Sequence, residues 1–360
     1  MNMIGKTVLS LIAAVVVGLA SGCDQAEDQP WSTRGMDASR LAETGSRSNN
    51  EDSNRRQGVD PTERAVDILL DAMESEYPQL RANAIEALQY APEHLEPAVR
   101  QGLVDENRGV RFGAAMMIGR MQMEGVAHLL EPLLEDESES VQAAAIFGMH
   151  ACGQEVDLNP LARMIRSDNP EVRSNAAVVL GEIGERSAAR MIRAAVGRGM
   201  GRVAPARVRI VELQMAEAMV RLGDERQLEV IRAALFSPAE QGEVTALACL
   251  ICGSLRDERA VPNLLQLAQR EGQRRQPAEV RMAATMAVAQ IQPSQAPASV
   301  PMAYIENEEP ALRAQAASTM GYLRDDESFS ALRRMLRDES PLVQVAAAGA
   351  VLQRIGKAAE

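Results

Sequence analysis

The cysteines are the residues whose type and spacing could support redox or metal chemistry. Cys249 and Cys252 form a Cys-x-x-Cys pair, a spacing shared by redox-active and zinc-binding thiols. Both lie in the middle of an apolar, helix-periodic segment, where burial raises the pKa of a thiol and makes it unreactive. The pair also supplies only two of the four ligands that a structural zinc needs. We therefore expect both thiols, and Cys152 in another apolar column, to pack in the core.

The histidines offer no catalytic or metal-binding arrangement. His94, His128 and His150 stand far apart in the sequence, and no His-Glu dipeptide occurs. No Ser, His and Asp set stands out, and no glycine-rich phosphate loop follows a strand. The sequence therefore predicts a protein that is not an enzyme, with no catalytic residues, no metal ligands and no cofactor.

Cys23 follows a short export signal. Residues 1–6 carry one lysine, residues 7–19 are mostly apolar, and small residues precede Cys23. This order is typical of a secretory signal, and the apolar run is short for the roughly 30 Å core of a bilayer. Leu19 to Cys23 resembles the lipobox of bacterial lipoproteins. The resemblance implies a signal peptide over 1–22, cleavage before Cys23 and lipid attached to Cys23.

The polar segment that follows is predicted to be a linker. Residues 24–60 are rich in Ser, Asn, Asp, Arg and Gln and show no apolar period. Such a segment cannot bury enough apolar surface to offset the entropy of ordering. We therefore expect a disordered linker over 23–60, starting at the lipidated cysteine, and a folded region over 61–360.

The folded region is organised by a repeated amphipathic helix. Each copy has an apolar anchor residue, and the spacings between neighbouring anchors are 30, 31, 31, 36, 36, 36, 32 and 31. The anchors are Leu80, Val110, Val141, Val172, Val208, Val244, Val280, Leu312 and Val343. A near-fixed period over nine copies predicts stacked units rather than one globular core. A second helix lies between successive anchors, for example over 126–135 and 226–235, so each unit is a helix pair.

The aligned copies show how the units pack. Four residues after the anchor, eight copies have alanine and the copy with Val208 has Glu212, which predicts a close approach of neighbouring helices. The pattern of Asp, Pro, Val-Arg, Ala-Ala and Leu-Gly resembles the HEAT-like repeat, in the short form of phycobilisome lyases. The resemblance implies an all-α, right-handed α-solenoid of about nine helix pairs.

An arginine follows the anchor in most copies, as at Arg81, Arg111 and Arg313. Carboxylates such as Asp105 and Asp338 lie in the turns before the repeated helices. In HEAT repeats, such residues form a hydrogen-bonded ladder between units, so these arginines are interpreted as structural. Gln142 and Gln344 replace the arginine, and we expect them to keep a hydrogen bond without its charge assistance.

Two features could bind a partner. The first is an apolar strip on the outer face of the repeated helix. In HEAT folds this helix lines the concave side, and apolar side chains exposed there would indicate an interface with a partner. Its residues are Phe112, Met116, Phe147, Val178, Ile210, Leu250, Met282 and Met286. The alternative is that tight curvature buries these side chains against neighbouring helices. The second feature is the arginines of the lengthened turns near 197–206 and 271–278: Arg198, Arg202, Arg274 and Arg275.

Composition narrows the class of partner. The net charge of −12 disfavours binding to nucleic acid. We expect an exported scaffold that binds a protein or peptide, lipid-anchored through Cys23 to a bacterial membrane and facing the periplasm or the cell exterior. The alternative is an enzyme or an accessory lyase or hydroxylase-type protein on the same scaffold, although the repeated His-Glu ligands of HEAT-like di-iron hydroxylases are absent from the sequence.

Cys23→Ala tests the lipoprotein interpretation. Without the thiol there is no site for lipid attachment, so the variant is expected to leave the membrane fraction or to remain unprocessed. Membrane partitioning and intact mass measure the change. The same partitioning and mass as the wild type would contradict lipidation at Cys23.

Overall fold

The computed structural model describes residues 60–269, 272 and 275–359 of the chain. The predicted signal peptide, Cys23, nearly all of the predicted linker and Arg274 lie outside these residues. Within the described part, the secondary structure is helical, and no helix is long and apolar enough to cross a bilayer. The prediction of an all-α solenoid is confirmed, while its handedness stays a prediction.

The repeated helices form an inner layer. Several begin at a proline in the first turn, where the missing N–H removes no helix hydrogen bond. The inner helices are α2 (Pro78–Ala87), α4 (Arg108–Met121), α5 (Glu139–Ala151), α7 (Pro170–Ile183), α9 (Pro205–Arg221), α11 (Gly242–Ser254), α13 (Ala278–Ile291), α15 (Pro310–Met320) and α17 (Pro341–Ala359).

The intervening helices form an outer layer. They are α1 (Pro61–Met73), α3 (Pro92–Leu103), a 3₁₀ helix (Glu124–Glu135), α6 (Asn159–Met164), α8 (Ala188–Ala195), α10 (Gln227–Ala234), α12 (Val261–Gln269), α14 (Ser299–Met302) and α16 (Asp326–Met335). The third outer helix is 3₁₀ rather than α. Pro132 lies inside it and cannot donate the backbone hydrogen bond of a regular α-helix.

The inner helices are buried around most of their circumference. In α13, the ten successive residues 280–289 are all buried. A helix that is apolar on all sides is covered on all sides. The inner layer is therefore enclosed by the outer helices on one side and by other inner helices on the other.

The register of the fifth unit differs from the sequence alignment. Val211 and Met215 are fully buried, whereas Val208 and Glu212 are half-buried. Gly181 of α7 approaches Ala218 of α9, which lies seven residues after Val211. The anchor of α9 is therefore Val211, and the placement of Glu212 in the alanine column was wrong. The spacings on either side become 39 and 33 residues.

The solenoid closes into a ring. The last inner helix, α17, packs against both α1 and α2 of the first unit. A Cβ added to Gly349 of α17 would lie 3.0 Å from the Cβ of Ala87 in α2. Each inner helix thus packs between two others, and the first and last units cover each other's apolar faces.

Gly349→Leu tests the closure. A side chain here meets Ala87 at a contact closer than nearly all real Cβ contacts. Overpacking of this kind costs about 1–3 kcal/mol of unfolding free energy, and the radius of gyration from solution scattering should rise if the ring opens.

Gly113→Ala is the matched control, because a Cβ there meets no atom within 4 Å and alanine favours a helix. Equal unfolding free energies and equal radii for the two variants would contradict the closed ring.

Candidate functional site: the edge and the interior of the ring

Buried arginines link successive units at one edge of the ring. Arg81 donates to Asp105 of the next unit at 2.7 and 2.8 Å, and Arg111 donates to Asp136 at 2.8 and 3.0 Å. Arg313 and Asp338 form the same pair. Each aspartate also accepts a backbone N–H of its own turn, as Asp105 does from Asn107. The predicted ladder is therefore present in these units, and its arginines are structural.

The glutamines that replace arginine keep half of this arrangement. Gln142 donates to the carbonyl of Asp136, and Gln344 donates to that of Asp338, both at 2.6 Å. Arg111 makes the equivalent bond to the carbonyl six residues before it, at 2.9 Å. The predicted hydrogen bonds of Gln142 and Gln344 are confirmed, and the link to the next unit's carboxylate is what the glutamines lack.

A second set of ion pairs joins the outer layer to the next unit. Arg193 of α8 pairs with Asp224 at 2.5 Å, and Arg232 of α10 makes two hydrogen bonds to Asp257 at 2.6 Å. Sequence reasoning missed these pairs. The only signal was an arginine at the sixth position of two successive outer helices, combined with an aspartate in the turn after the next inner helix.

The cysteines lie in the core, as predicted. Cys249 and Cys252 are fully buried and Cys152 is 6% exposed. Burial raises the pKa of the Cys249 thiol well above its usual value and raises that of Cys252 to about 12. Burial also raises the pKa of Cys152. None of these thiols has the lowered pKa of a reactive cysteine.

The prediction that the apolar strip is an exposed docking surface is wrong. Phe112, Met116, Phe147, Ile210, Leu250, Met282 and Met286 are all at most 6% exposed, and Val178 is half-buried. The Phe147 ring lies against Gly119 of the neighbouring inner helix. Curvature within the closed ring brings inner helices together over these side chains, which was the alternative interpretation of the strip.

The arginine-rich turn before α9 remains on the surface. Arg198 and Arg202 are exposed. The backbone of the turn is hydrogen-bonded to the buried side chain of Arg173, which is 1% exposed. Arg173 donates to the carbonyls of Ser167 and Arg198 at 2.8 and 2.5 Å. Burial lowers the pKa of Arg173, and nearby Asp168 opposes this shift. The turn backbone is therefore fixed while its arginine side chains reach solvent.

Apolar side chains accompany these arginines at the same edge. Phe236, in the next turn between an outer and an inner helix, is 65% exposed, and Val196 is 39% exposed. Sequence reasoning missed both. We define the rim patch as Val196, Arg198, Arg202 and Phe236. Arg275, also exposed, lies in the following turn and donates to the Tyr304 hydroxyl at 3.4 Å.

The interior of the ring carries a polar stripe that was also missed. We define the lumen stripe as the positions one before and three, six and ten after each anchor, which share one helix face at 100° per residue. Its polar members include Ser140, Glu171, Asn175, Glu182, Gln214, Glu217, Gln290, Gln315, Tyr322 and Gln353. Because these residues occupy different positions in different units, no single alignment column reveals them.

Comparison with known proteins fits the repeat architecture. Residues 66–150, 126–207 and 298–359 match the family described as HEAT repeats, and together they exceed half of the 360 residues. The chain belongs to the HEAT-repeat family. A comparison with curated proteins finds no match.

Several solved structures are similar to this HEAT-repeat chain at low identity. Human deoxyhypusine hydroxylase in complex with glycerol has 17% identity and a TM-score of 0.36, with coverage of 82% of this chain and 97% of the hydroxylase. The Kap95:Nup1 complex has 12% identity and a TM-score of 0.41, with coverage of 99% and 52%, respectively. Kap121p has 12% identity and a TM-score of 0.26, with coverage of 89% and 44%. The HEAT-repeat chain spans about half the length of these two Kap chains.

The histidines of this HEAT-repeat protein are dispersed. His94 lies 3.7 Å from Glu93, and His128 is exposed on the outer layer. Among the described residues, no group of three or more His, Cys, Asp or Glu side chains could hold a metal ion.

Arg81→Leu tests the ladder. It strands the buried Asp105 carboxylate, and breaking a buried pair costs about 3 kcal/mol at pH 7. Burial tends to raise the pKa of Asp105, but hydrogen bonds from Arg81 and Asn107 outweigh it and hold the pKa below its usual value. The pair's contribution is therefore full above the unfolded pKa of about 3.9 and is lost as pH falls through the folded value.

Urea denaturation gives the free energy of unfolding at pH 7 and at pH 3. The difference between these two values is expected to be smaller in Arg81→Leu than in the wild type. Gln142→Leu serves as the control, because it loses a hydrogen bond to a carbonyl but no ion pair, at a cost of about 1 kcal/mol. Equal losses in the two variants would contradict a role for the ion pair.

Proposed function

We propose that the chain is an exported, lipid-anchored HEAT-repeat scaffold that binds an acidic protein segment at its rim patch. The export signal and Cys23 support the location, with the folded ring held off a bacterial membrane in the periplasm or at the cell exterior. The repeat fold supports the scaffold, since stacked helical units present extended surfaces rather than a catalytic cleft.

The observation that carries the binding proposal is the exposure of Phe236. A phenylalanine that is 65% exposed keeps apolar area in water, and such area concentrates at interfaces. Three other turns between an outer and an inner helix present charged side chains at the comparable place, Glu135, Arg166 and Arg337, and a fourth presents the smaller Val104. A solvent-facing role alone would favour a charge at Phe236 as well.

The charges of the rim patch select the partner. Arg198 and Arg202 are exposed cations on a turn whose backbone is fixed by Arg173. Guanidinium groups pair with carboxylates and are enriched at interfaces. The whole chain is acidic, with a net charge of −12, so an acidic segment is attracted to this patch and repelled elsewhere.

Site-specific photocrosslinking in intact cells tests the proposal. Benzoylphenylalanine is placed at Phe236 or, as the matched control, at Val104, which is 83% exposed in a turn of another unit. We expect a discrete adduct at Phe236 that is absent at Val104, and a loss of that adduct when Arg198→Glu and Arg202→Glu are combined. Arg337→Glu, an exposed arginine in the last unit, should leave the adduct unchanged.

Two results would overturn the proposal. One is the absence of any adduct at Phe236, and the other is an adduct that forms equally at Val104. If the adduct forms but persists after the double arginine substitution, the partner is not selected by negative charge.

A further inference from the structure

A glutamate-rich turn lies on the same edge of the ring as the rim patch. The turn between α14 and α15 exposes three carboxylates, and we define it as the acidic turn: Glu306, Glu308 and Glu309. Like the turn that carries Arg198 and Arg202, it leads from an outer helix to an inner helix. Turns of this kind all lie at one edge, because the helices of each layer run in the same direction. One face of the ring therefore presents exposed cations and exposed carboxylates together.

In the part of the chain that the structure describes, the arginine ladder does not neutralise these carboxylates. On three other turns of this edge, an exposed glutamate lies near a ladder arginine: Glu106 at 4.0 Å from Arg81, Glu137 at 3.4 Å from Arg111 and Glu339 at 3.3 Å from Arg313. In the acidic turn, Arg313 donates instead to the backbone carbonyls of Asn307 and Glu308, at 2.8 and 3.3 Å. The side chain of Asn307 accepts the N–H of Glu309 at 2.9 Å. The backbone of the acidic turn is therefore fixed, and its carboxylates are available to a partner.

The rim patch and the acidic turn are both ordered before they bind. Arg313 is 5% exposed, and Arg173, which donates to the carbonyl of Arg198, is 1% exposed. Contact between two turns that are already fixed loses little loop entropy. Within one ring, however, the two turns lie three inner helices apart, which is about 20–25 Å at the usual spacing of helix axes. They can therefore meet only between two copies of the chain.

A two-fold axis brings the two turns together. Four successive turns on this edge carry, in order, the two arginines of the rim patch, Phe236, Arg275 and the acidic turn. A two-fold axis that lies between two facing rings, and passes between the second and third of these turns, exchanges the first turn with the fourth and the second with the third. The arginines of each copy then face the acidic turn of the other copy, and this pairing occurs twice.

The same axis places Phe236 near the centre of the contact. Its ring, 65% exposed in one copy, lies opposite the turn of the second copy that carries the exposed Arg275. A guanidinium group is attracted to an aromatic face, and covering the ring removes apolar area from water. Glu240, an exposed carboxylate close to Phe236 in the sequence, faces the same cation. An apolar centre flanked by charge pairs is the usual composition of a protein interface.

Like charges confine the contact to these four turns. Across the ring, the axis sets the turn of Glu74 and Glu76 opposite the turn of Glu135 and Glu137 in the second copy. All four side chains are exposed, so the rings repel each other there and are inclined rather than stacked flat. Val104 belongs to the turn between these two and therefore lies outside the contact.

We propose that the acidic segment bound by the rim patch is the acidic turn of a second copy, and that the chain forms a symmetric dimer through these four turns. This inference rests on the proposed function, because it names the partner of the rim patch. Lipid anchoring favours the dimer, since two copies held on one membrane meet at a raised effective concentration. The ring begins with α1, whose first residue lies at the opposite edge, so the connection to Cys23 leaves the contact clear.

Photocrosslinking between two tagged copies tests the dimer. Full-length copies with different epitope tags are coexpressed in intact cells, and one copy carries benzoylphenylalanine at Phe236. We expect an adduct that has the mass of two chains and contains both tags. Arg198→Glu combined with Arg202→Glu in the photoreactive copy should reduce this adduct about tenfold or more, because one of the two charge contacts becomes repulsive.

Exchange of charge between the copies identifies the acidic turn. Glu306→Arg with Glu308→Arg in the second copy should restore the adduct, because both charge contacts between the two copies are then attractive. Glu135→Arg with Glu137→Arg is the matched control, since it makes the same change of charge on the same edge outside the contact, and it should not restore the adduct. All of these side chains are exposed, so the variants are expected to unfold at the wild-type temperature.

The possible adducts separate this inference from the proposed function. An adduct at Phe236 that joins the chain to a different protein would overturn the dimer and leave binding at the rim patch intact. The absence of any adduct would overturn both. An adduct between two copies that persists after the arginine substitutions, or that the Glu135 and Glu137 substitutions restore equally well, would overturn the pairing of the arginines with the acidic turn.

Discussion

The close approach of neighbouring inner helices is the constraint on which the rest of the structure depends. A Cβ added to Gly253 would lie 2.9 Å from the Cα of Ala287, and one added to Gly321 would lie 3.0 Å from the Cβ of Ala350. Small residues at these contacts let the backbones come together, and closely packed inner helices give a tightly curved array. Curvature then accounts for the buried strip and for the packing of the last unit on the first. It also accounts for the ion pairs Arg108–Glu171 and Arg120–Glu182, which connect α4 to α7 across α5.

The arginine ladders fix the relative positions of units that hydrophobic packing alone would leave free to slide. Alanine-rich surfaces have few protrusions, so one packing register differs little from the next. Bidentate contacts such as Arg232 with Asp257 are directional and are satisfied in one geometry only. In the fourth unit, Arg173 uses carbonyls in place of a carboxylate and thereby positions the turn that carries Arg198. The turn that this structural arginine positions also carries the arginines of the proposed binding patch.

The sequence was sufficient for the features that repeat and insufficient for those that do not. The helix pairs, the alanine column, the buried cysteines and the first arginine ladder recur in many copies, so periodicity and alignment expose them. The shift to Val211 was missed because a four-residue period fits both Val208 and Val211 within a long helix. The strip was misassigned because polarity patterns report that a face is apolar, whereas only the closed ring shows what covers it. Asn175 and Gln214 were overlooked because the same position holds glycine, alanine or leucine in five of the nine units, so the column shows no consistent polar pattern.

The packing of α17 on α1 and α2 has a kinetic consequence. An open solenoid can nucleate anywhere, propagate unit by unit and fray from its ends. The ring of described residues has no such ends, because the interface between its first and last units joins residues more than 260 positions apart. Contacts of such sequence separation carry the largest loop-closure entropy, of about 5 kcal/mol on a logarithmic dependence on length. The interface between α17 and the first unit should therefore form last in folding, and its rupture should be the first step of global unfolding.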